Sequence, residues 1–251
     1  MGNEKIYAND DLKIYRGEDF QISKYIKIHQ ATLGEICNYG EQDYFSVVYN
    51  FTATPQSLKV QLWDAGIDYT AITAYDTFCS FLCKAYSQDK TSILFGDLDF
   101  RKFNLVKKKD GSIALYQSIN GDDVIIDEYT YGVIVKYLCD VHSITQDLKI
   151  PANNSTKMIL IEDARDEIER AKREPYHSRL KNLISSMVNC EGFKYDHSQV
   201  WDMKINAFMD SVKRISKIKN ANLLMQSGYS GFGINLKDIN NKELDWLGEL
   251  E

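Results

Sequence analysis

The sequence predicts a predominantly α-helical α+β fold, and three observations carry that prediction. Apolar residues recur at spacings of three and four over most of the chain, the pattern of helices with one buried face. Strand-like stretches joined by Asp-Gly and Asn-Gly turns concentrate at about residues 92–126, which marks a small antiparallel meander. Beyond Pro151 the sequence reads as helix alone, so residues 1–150 form an α+β region and residues 151–251 a helical one.

Taken in order, Leu12, Ile14, Phe20, Ile22 and Tyr25-Ile26-Lys27-Ile28 alternate around the turn residues Arg16-Gly17-Glu18-Asp19, so residues 11–30 are expected to form a hairpin or two short strands. Thr32-Leu33-Gly34-Glu35 spells a capping box: the Thr32 hydroxyl can accept from the first helical turn while Glu35 reaches back. The helix it opens should run to about Phe51, softened near Gly40. Thr54-Pro55 supplies a second start and Gly66 a stop. A third helix, Thr73 to Tyr86, gathers Tyr75, Phe78, Cys79, Leu82 and Cys83 on one side. Ser92–Gly96 and Phe103–Val106 look like short strands; Lys109-Asp110-Gly111-Ser112 turns the chain into Ile113–Tyr116, and Asn120-Gly121 turns it into Val124-Ile125-Ile126. A helix from about Glu128 to His142 closes this unit.

Ile150-Pro151-Ala152-Asn153-Asn154-Ser155 is the candidate boundary, a proline and a polar cluster where the helical pattern stops. Helices are then expected from about Ser155 to Arg173, with alternating charges, and from Tyr176 to about Cys190, stopped by Gly192. The longest should span 198–225 with the apolar seam Trp201, Ile205, Phe208, Val212, Ile215 and Ile218. Gly228 should end it and open the loop Gly228–Gly233, and a last short helix falls within 240–250.

Composition narrows the function classes. With 251 residues, 44% of them hydrophobic, the chain can bury a sizeable core. A net charge of −6 draws no phosphate backbone globally, so nucleic-acid binding would need a local patch. The candidate is Lys204, Lys213, Arg214, Lys217 and Lys219, which reads more simply as the solvated face of an amphipathic helix. Five cysteines without framework spacing point to reduced thiols. Met1-Gly2-Asn3-Glu4-Lys5 opens no apolar signal segment, and no apolar run approaches the ~20 residues of a membrane span, so a cytoplasmic protein is expected.

Each candidate chemistry has a simpler reading beside it. Cys79 and Cys83, four apart, and Cys139 and His142, three apart, could together surround zinc, yet each pair sits on an apolar face where cysteine packs as a small hydrophobe. Asp97 and Asp99 would share one side of a strand and could hold a divalent cation, although turn and surface positions suffice to explain them. Gly228–Gly233 has neither the spacing nor the strand-to-helix setting of a phosphate loop. His29, His142, His177 and His197 lie in different segments with no partner suggested by spacing. No catalytic residue, cofactor site or metal site is assigned. The residues expected to meet a partner are the aromatic Tyr229, Phe232 and Trp246.

A short strand leading into Thr32-Leu33-Gly34-Glu35-Ile36, followed by a mostly helical acidic chain that ends in Met203-Lys204-Ile205-Asn206-Ala207-Phe208-Met209-Asp210-Ser211-Val212 and the Gly228–Gly233 loop, resembles proteins of the tail-morphogenesis region of phages and prophages of Gram-positive bacteria. Within that group it looks most like a tail assembly chaperone. The resemblance implies a non-enzymatic protein of the host cytoplasm that coats the tape-measure protein through helical contacts, recruits tail-tube subunits, and is minor in or absent from the finished particle. Self-association is compatible with that role. The alternative is a nucleic-acid-associated accessory protein using the basic stripe.

Overall fold

The computed structural model describes residues 11–229, 239–248 and 250. Helices dominate it, with one two-stranded and one three-stranded antiparallel sheet among the described residues. Helix α1 (Asp11–Tyr15) leads into β1 (Phe20–Gln21), which pairs antiparallel with β2 (Lys27–Ile28). Residues 11–15 are therefore helical where alternation suggested a strand, while the hairpin itself forms.

The capping box is present in full. The Thr32 hydroxyl accepts from the Glu35 amide at 3.1 Å, and the Glu35 carboxylate accepts from the Thr32 amide at 2.6 Å. It starts α2 (Leu33–Tyr39), which breaks at Gly40 (φ +102) and resumes as α3 (Glu41–Thr52). Thr54-Pro55 begins a turn, and α4 (Lys59–Asp64) follows, with Gly66 in a positive-φ stop. Thr73 caps α5 (Ala74–Thr77), which widens into a π-helical turn over Phe78–Leu82.

Ser92–Gly96 is not a strand. It is the end of α6 (Gln88–Phe95), where Thr91, Leu94 and Phe95 are buried at helical spacing. An apolar run of three cannot separate helix from strand by pattern alone. The meander is thus shorter than 92–126: β3 (Asn104–Lys107), β4 (Ile113–Ile119) and β5 (Asp122–Ile126) pair in that order, in the register Leu105↔Leu115↔Ile126. Helix α7 (Glu128–His142) has the expected bounds and is capped by Asp127.

Helix α8 (Asn154–Arg173) packs on α4 through Ile161, which joins Val60, Leu62 and Tyr69 in a small separate core. Arg165 forks onto both oxygens of Asp64, and Lys157 pairs with Asp68 at 2.7 Å. Helix α9 (Arg179–Val188) follows.

The longest helix is α10 (Ile205–Tyr229), not 198–225. Trp201 lies before it in a 3₁₀ turn, Val200–Asp202, fed by an Asp196 carboxylate that accepts from the Ser198 and Gln199 amides. The chain must straighten at Met203 because its carbonyl accepts from the Leu33 amide at 2.9 Å. The Ile205 amide donates in turn to the Ala31 carbonyl at 3.0 Å, so Thr32 and Lys204 form an antiparallel bridge. At the other end Gly228 does not stop the helix, which continues through Tyr229. The loop expected beyond it falls on residues 230–238, outside the described residues. Helix α11 (Asn241–Leu244) packs back on α10.

Two glycines answer to the bridge. A Cβ on Gly34 would meet the Trp201 carbonyl at 3.1 Å, and one on Gly17 (φ +87) would meet the Lys204 side chain at 2.5 Å. The main core spans the chain: Leu33, Ile36, Val48, Phe51, Phe100 and Leu138 pack in one cluster with Ile184, Met187, Val200, Ile205 and Phe208. The apolar seam of α10 therefore packs on α7 and α1, beyond the helical C-terminal part that the sequence suggested as its partner.

Phe208 is fully buried in that cluster. Phe208→Ala should cost about 3–5 kcal/mol, read from urea unfolding, with the tryptophan-fluorescence and circular-dichroism transitions shifting together. A shift in fluorescence alone would mean that α10 melts apart from the rest.

Candidate cleft between α3, α7, α9 and α10

The first turn of α9 is fixed from across the chain. The Glu41 carboxylate, at the start of α3, accepts from the Arg179 and Leu180 amides at 2.9 and 3.0 Å. Burial pushes the Glu41 carboxyl up, but these amides and the Ser178 hydroxyl outweigh it and hold the group below its ordinary value. A carboxylate on free helical N–H groups also answers the helix dipole.

Holding α9 there opens a cleft of about 710 Å³ against α3, the end of α7 and the start of α10. Phe45, Tyr49, Tyr86, Leu183 and Met209 supply apolar and aromatic surface, and Gln42, Ser46 and Thr52 supply polar groups. That size and mixture fit a binding site. The Tyr49 and Tyr176 side chains are about half exposed, at 46% and 50%. Among the described residues Arg179 is the one charged lining residue, and no carboxylate is paired with its guanidinium.

His142 also lines this cleft, and it is neutral. Its Nδ1 donates to the Leu138 carbonyl at 2.7 Å, which leaves Nε2 to accept from the Tyr44 hydroxyl at 2.7 Å. Burial drives its pKa down to about 4, against a smaller upward pull from the Leu138 carbonyl. Both ring nitrogens are thus occupied, and burial raises the Tyr44 hydroxyl as well.

The other sequence candidates are dispersed in structural roles. Cys83 is buried, and burial pushes Cys79 and Cys139 up to about 11 and Cys83 to about 12, so all three stay protonated thiols. Among the described residues no three His, Cys, Asp or Glu side chains are grouped to hold a metal. Asp97 and Asp99 do not share a strand: Asp97 is an exposed turn residue, and Asp99 caps the 3₁₀ turn Phe100–Lys102 by accepting from the Arg101 amide. His29, without a partner by spacing, sits between two carboxylates, with Nδ1 2.7 Å from Asp19 and Nε2 3.3 Å from Glu35. That contact ties the hairpin to α2, a link carried by residues too far apart for any motif.

The basic stripe is partly consumed. Arg214 donates to the Trp246 and Gly248 carbonyls, both at 2.8 Å, and Lys204 stands 4.0 Å from Glu35 before α10 begins. Lys213 and Lys217 face a shallow hollow shared with Glu243 and Asp245, and Lys219 is exposed. Of the expected partner residues, Tyr229 ends α10 and is 83% exposed, and Trp246 follows α11 at 43% exposure. Phe232 lies outside the described residues. The cleft brings together none of these three, and the sequence reading missed Arg179, Tyr49 and Tyr176 as site residues. The one available signal was compositional: sixteen tyrosines suggest half-buried or interface positions.

Residues 171–251, which supply α9, α10 and α11, match the family model described as the YomV second domain. Over that stretch the chain is similar to a phage- and prophage-associated family. No curated protein and no solved structure matches significantly.

His142 makes a pH prediction with a definite sign. Its folded pKa lies below the ordinary 6.5, so the unfolded chain binds more protons between pH 6.5 and about 4. The neutral ring's contribution is complete above pH 6.5, falls as the pH drops, and levels off below about 4, a loss on the order of 3 kcal/mol. Urea unfolding at pH 7, 5.5 and 4.5 should show that slope, and His142→Gln should flatten it. An equal slope in the variant would mean that other groups carry it.

Proposed function

We propose that this chain is a non-enzymatic phage tail-assembly protein of the host cytoplasm that works by docking on tape-measure or tail-tube proteins. The observation that carries the proposal is the place of the family-matched segment. Residues 171–251 resemble a phage-associated family, form one wall of the cleft, and present Tyr229 and Trp246 to solvent. The groups that could have done chemistry favour a binding role. His142 has both nitrogens engaged, the Cys79, Cys83 and Cys139 thiols are held protonated, and Asp99 caps a turn. No helix among the described residues is long and apolar enough to cross a membrane.

The nucleic-acid reading has less support, because Arg214 and Lys204 are turned to contacts within the chain. In this account Tyr229, Phe232 and Trp246 are the partner-facing aromatics, and self-association is secondary.

The purified chain should retain the tape-measure or tail-tube protein encoded beside it. Tyr229→Ala combined with Phe232→Ala should weaken that binding by roughly tenfold or more, the usual effect of losing aromatic anchors, with the melting temperature unchanged. Retention of neither protein would overturn the tail-assembly reading. A DNA shift at low salt that needs Lys213 and Lys219 would favour the alternative.

A further inference from the structure

We infer that the cleft between α3, α7, α9 and α10 is the anchoring site for the partner, and that it takes an apolar or aromatic polypeptide segment bearing a carboxylate that pairs with Arg179. The inference rests on the docking reading for the nature of the occupant and goes beyond the aromatic end of α10 in naming a second, chemically selective site.

The argument is one of charge and shape. The chain is acidic overall, at −6, yet among the described residues the one charged residue lining the cleft is a cation. Among the described residues no carboxylate forms an ion pair with the Arg179 side chain: Glu41, which stays ionised beside the first turn of α9, accepts from the Arg179 and Leu180 backbone amides. His142 adds no second charge, since burial and its two hydrogen bonds keep it neutral. What remains is Arg179, an exposed cation that lines the cleft together with Phe45, Tyr49, Tyr86, Leu183 and Met209. An arginine fork suits a carboxylate, which it can grip with two parallel hydrogen bonds. The aromatic walls suit a leucine-sized or phenyl-sized side chain. A fully polar or cationic occupant would leave those walls wet and meet like charge.

The test uses two dyes of one shape and opposite demand on Arg179: the anionic 8-anilinonaphthalene-1-sulfonate and the neutral N-phenyl-1-naphthylamine. Both should bind the folded full-length chain saturably at one site. Arg179→Gln should weaken the anionic dye by about tenfold, the expected loss for one charge-assisted contact, and leave the neutral dye within about twofold, a change too small to reflect a lost ion pair. Leu183→Ser should weaken both, with circular dichroism confirming that the fold is kept. Equal effects of Arg179→Gln on the two dyes, or dye binding indifferent to both substitutions, would overturn the inference while leaving tail-protein docking at Tyr229 and Trp246 standing. In the native chain, purified tape-measure or tail-tube protein should displace the anionic dye. Arg179-dependent dye binding that neither protein displaces would overturn the polypeptide occupant, and direct retention of those proteins then judges the tail-assembly reading on its own.

Discussion

The structure depends on a short backbone bridge between residues 31–33 and 203–205. Two amide-to-carbonyl hydrogen bonds, Leu33 to Met203 and Ile205 to Ala31, seat the start of α10 beside the start of α2. The seat leaves little room around it. Gly34 lies too close to the Trp201 carbonyl to accept a side chain without adjustment, and Gly17 abuts Lys204. Once that seat is taken, Val200, Ile205 and Phe208 drop into the cluster formed by Ile36, Val48 and Leu138, and one core serves both ends of the chain. Burial of that apolar surface is the main favourable term. The bridge adds direction, deciding which face of α10 is buried.

The cleft follows from the same constraint. Because α3 continues from α2 across Gly40, fixing α10 beside α2 also sets the spacing between α3 and α10. Helix α9 closes one side, held by the Glu41 carboxylate on its first amides, and the C-terminal turn of α7 contributes His142. The polar atoms there are used to hold helices in place: His142 takes the Tyr44 hydroxyl on one nitrogen and gives to the Leu138 carbonyl on the other. Arg179 stands apart from that pattern, a cation paired with no carboxylate among the described residues in a wall otherwise uncharged. By contrast the α4–α8 pair has its own small core and its own ion pairs, so it adds surface without shaping the cleft.

Much of the local structure was legible because its causes are local. The Thr32–Glu35 box, the Asp110-Gly111 turn, the Gly66 stop and the span of α7 all depend on residues a few positions apart. Ser92–Gly96 misled because its apolar run is too short to show a period, and Thr91, one turn earlier, completes the helical face. The apolar spacing of the long helix continues back through Trp201 and so predicts a start several residues early, while the break at Met203 is imposed by Leu33, far away in sequence. The cleft was not legible at all. Its walls come from residue 42 to residue 209, and nothing in the spacing of His142 connects it with the residues that it meets there. The tyrosine-rich composition hinted at half-buried rings without saying where they would meet.

Native-state amide hydrogen exchange at the bridge is the most direct measurement. If the two ends of the chain share one core through this seat, the Leu33 and Ile205 amides open only in global unfolding, with the same free energy as the amides of α7. Exchange of Ile205 and the α9–α10 amides at a markedly lower free energy, with Leu33 still protected, would contradict the account: the C-terminal helices would then be a separately opening unit, and the cleft a transient gap.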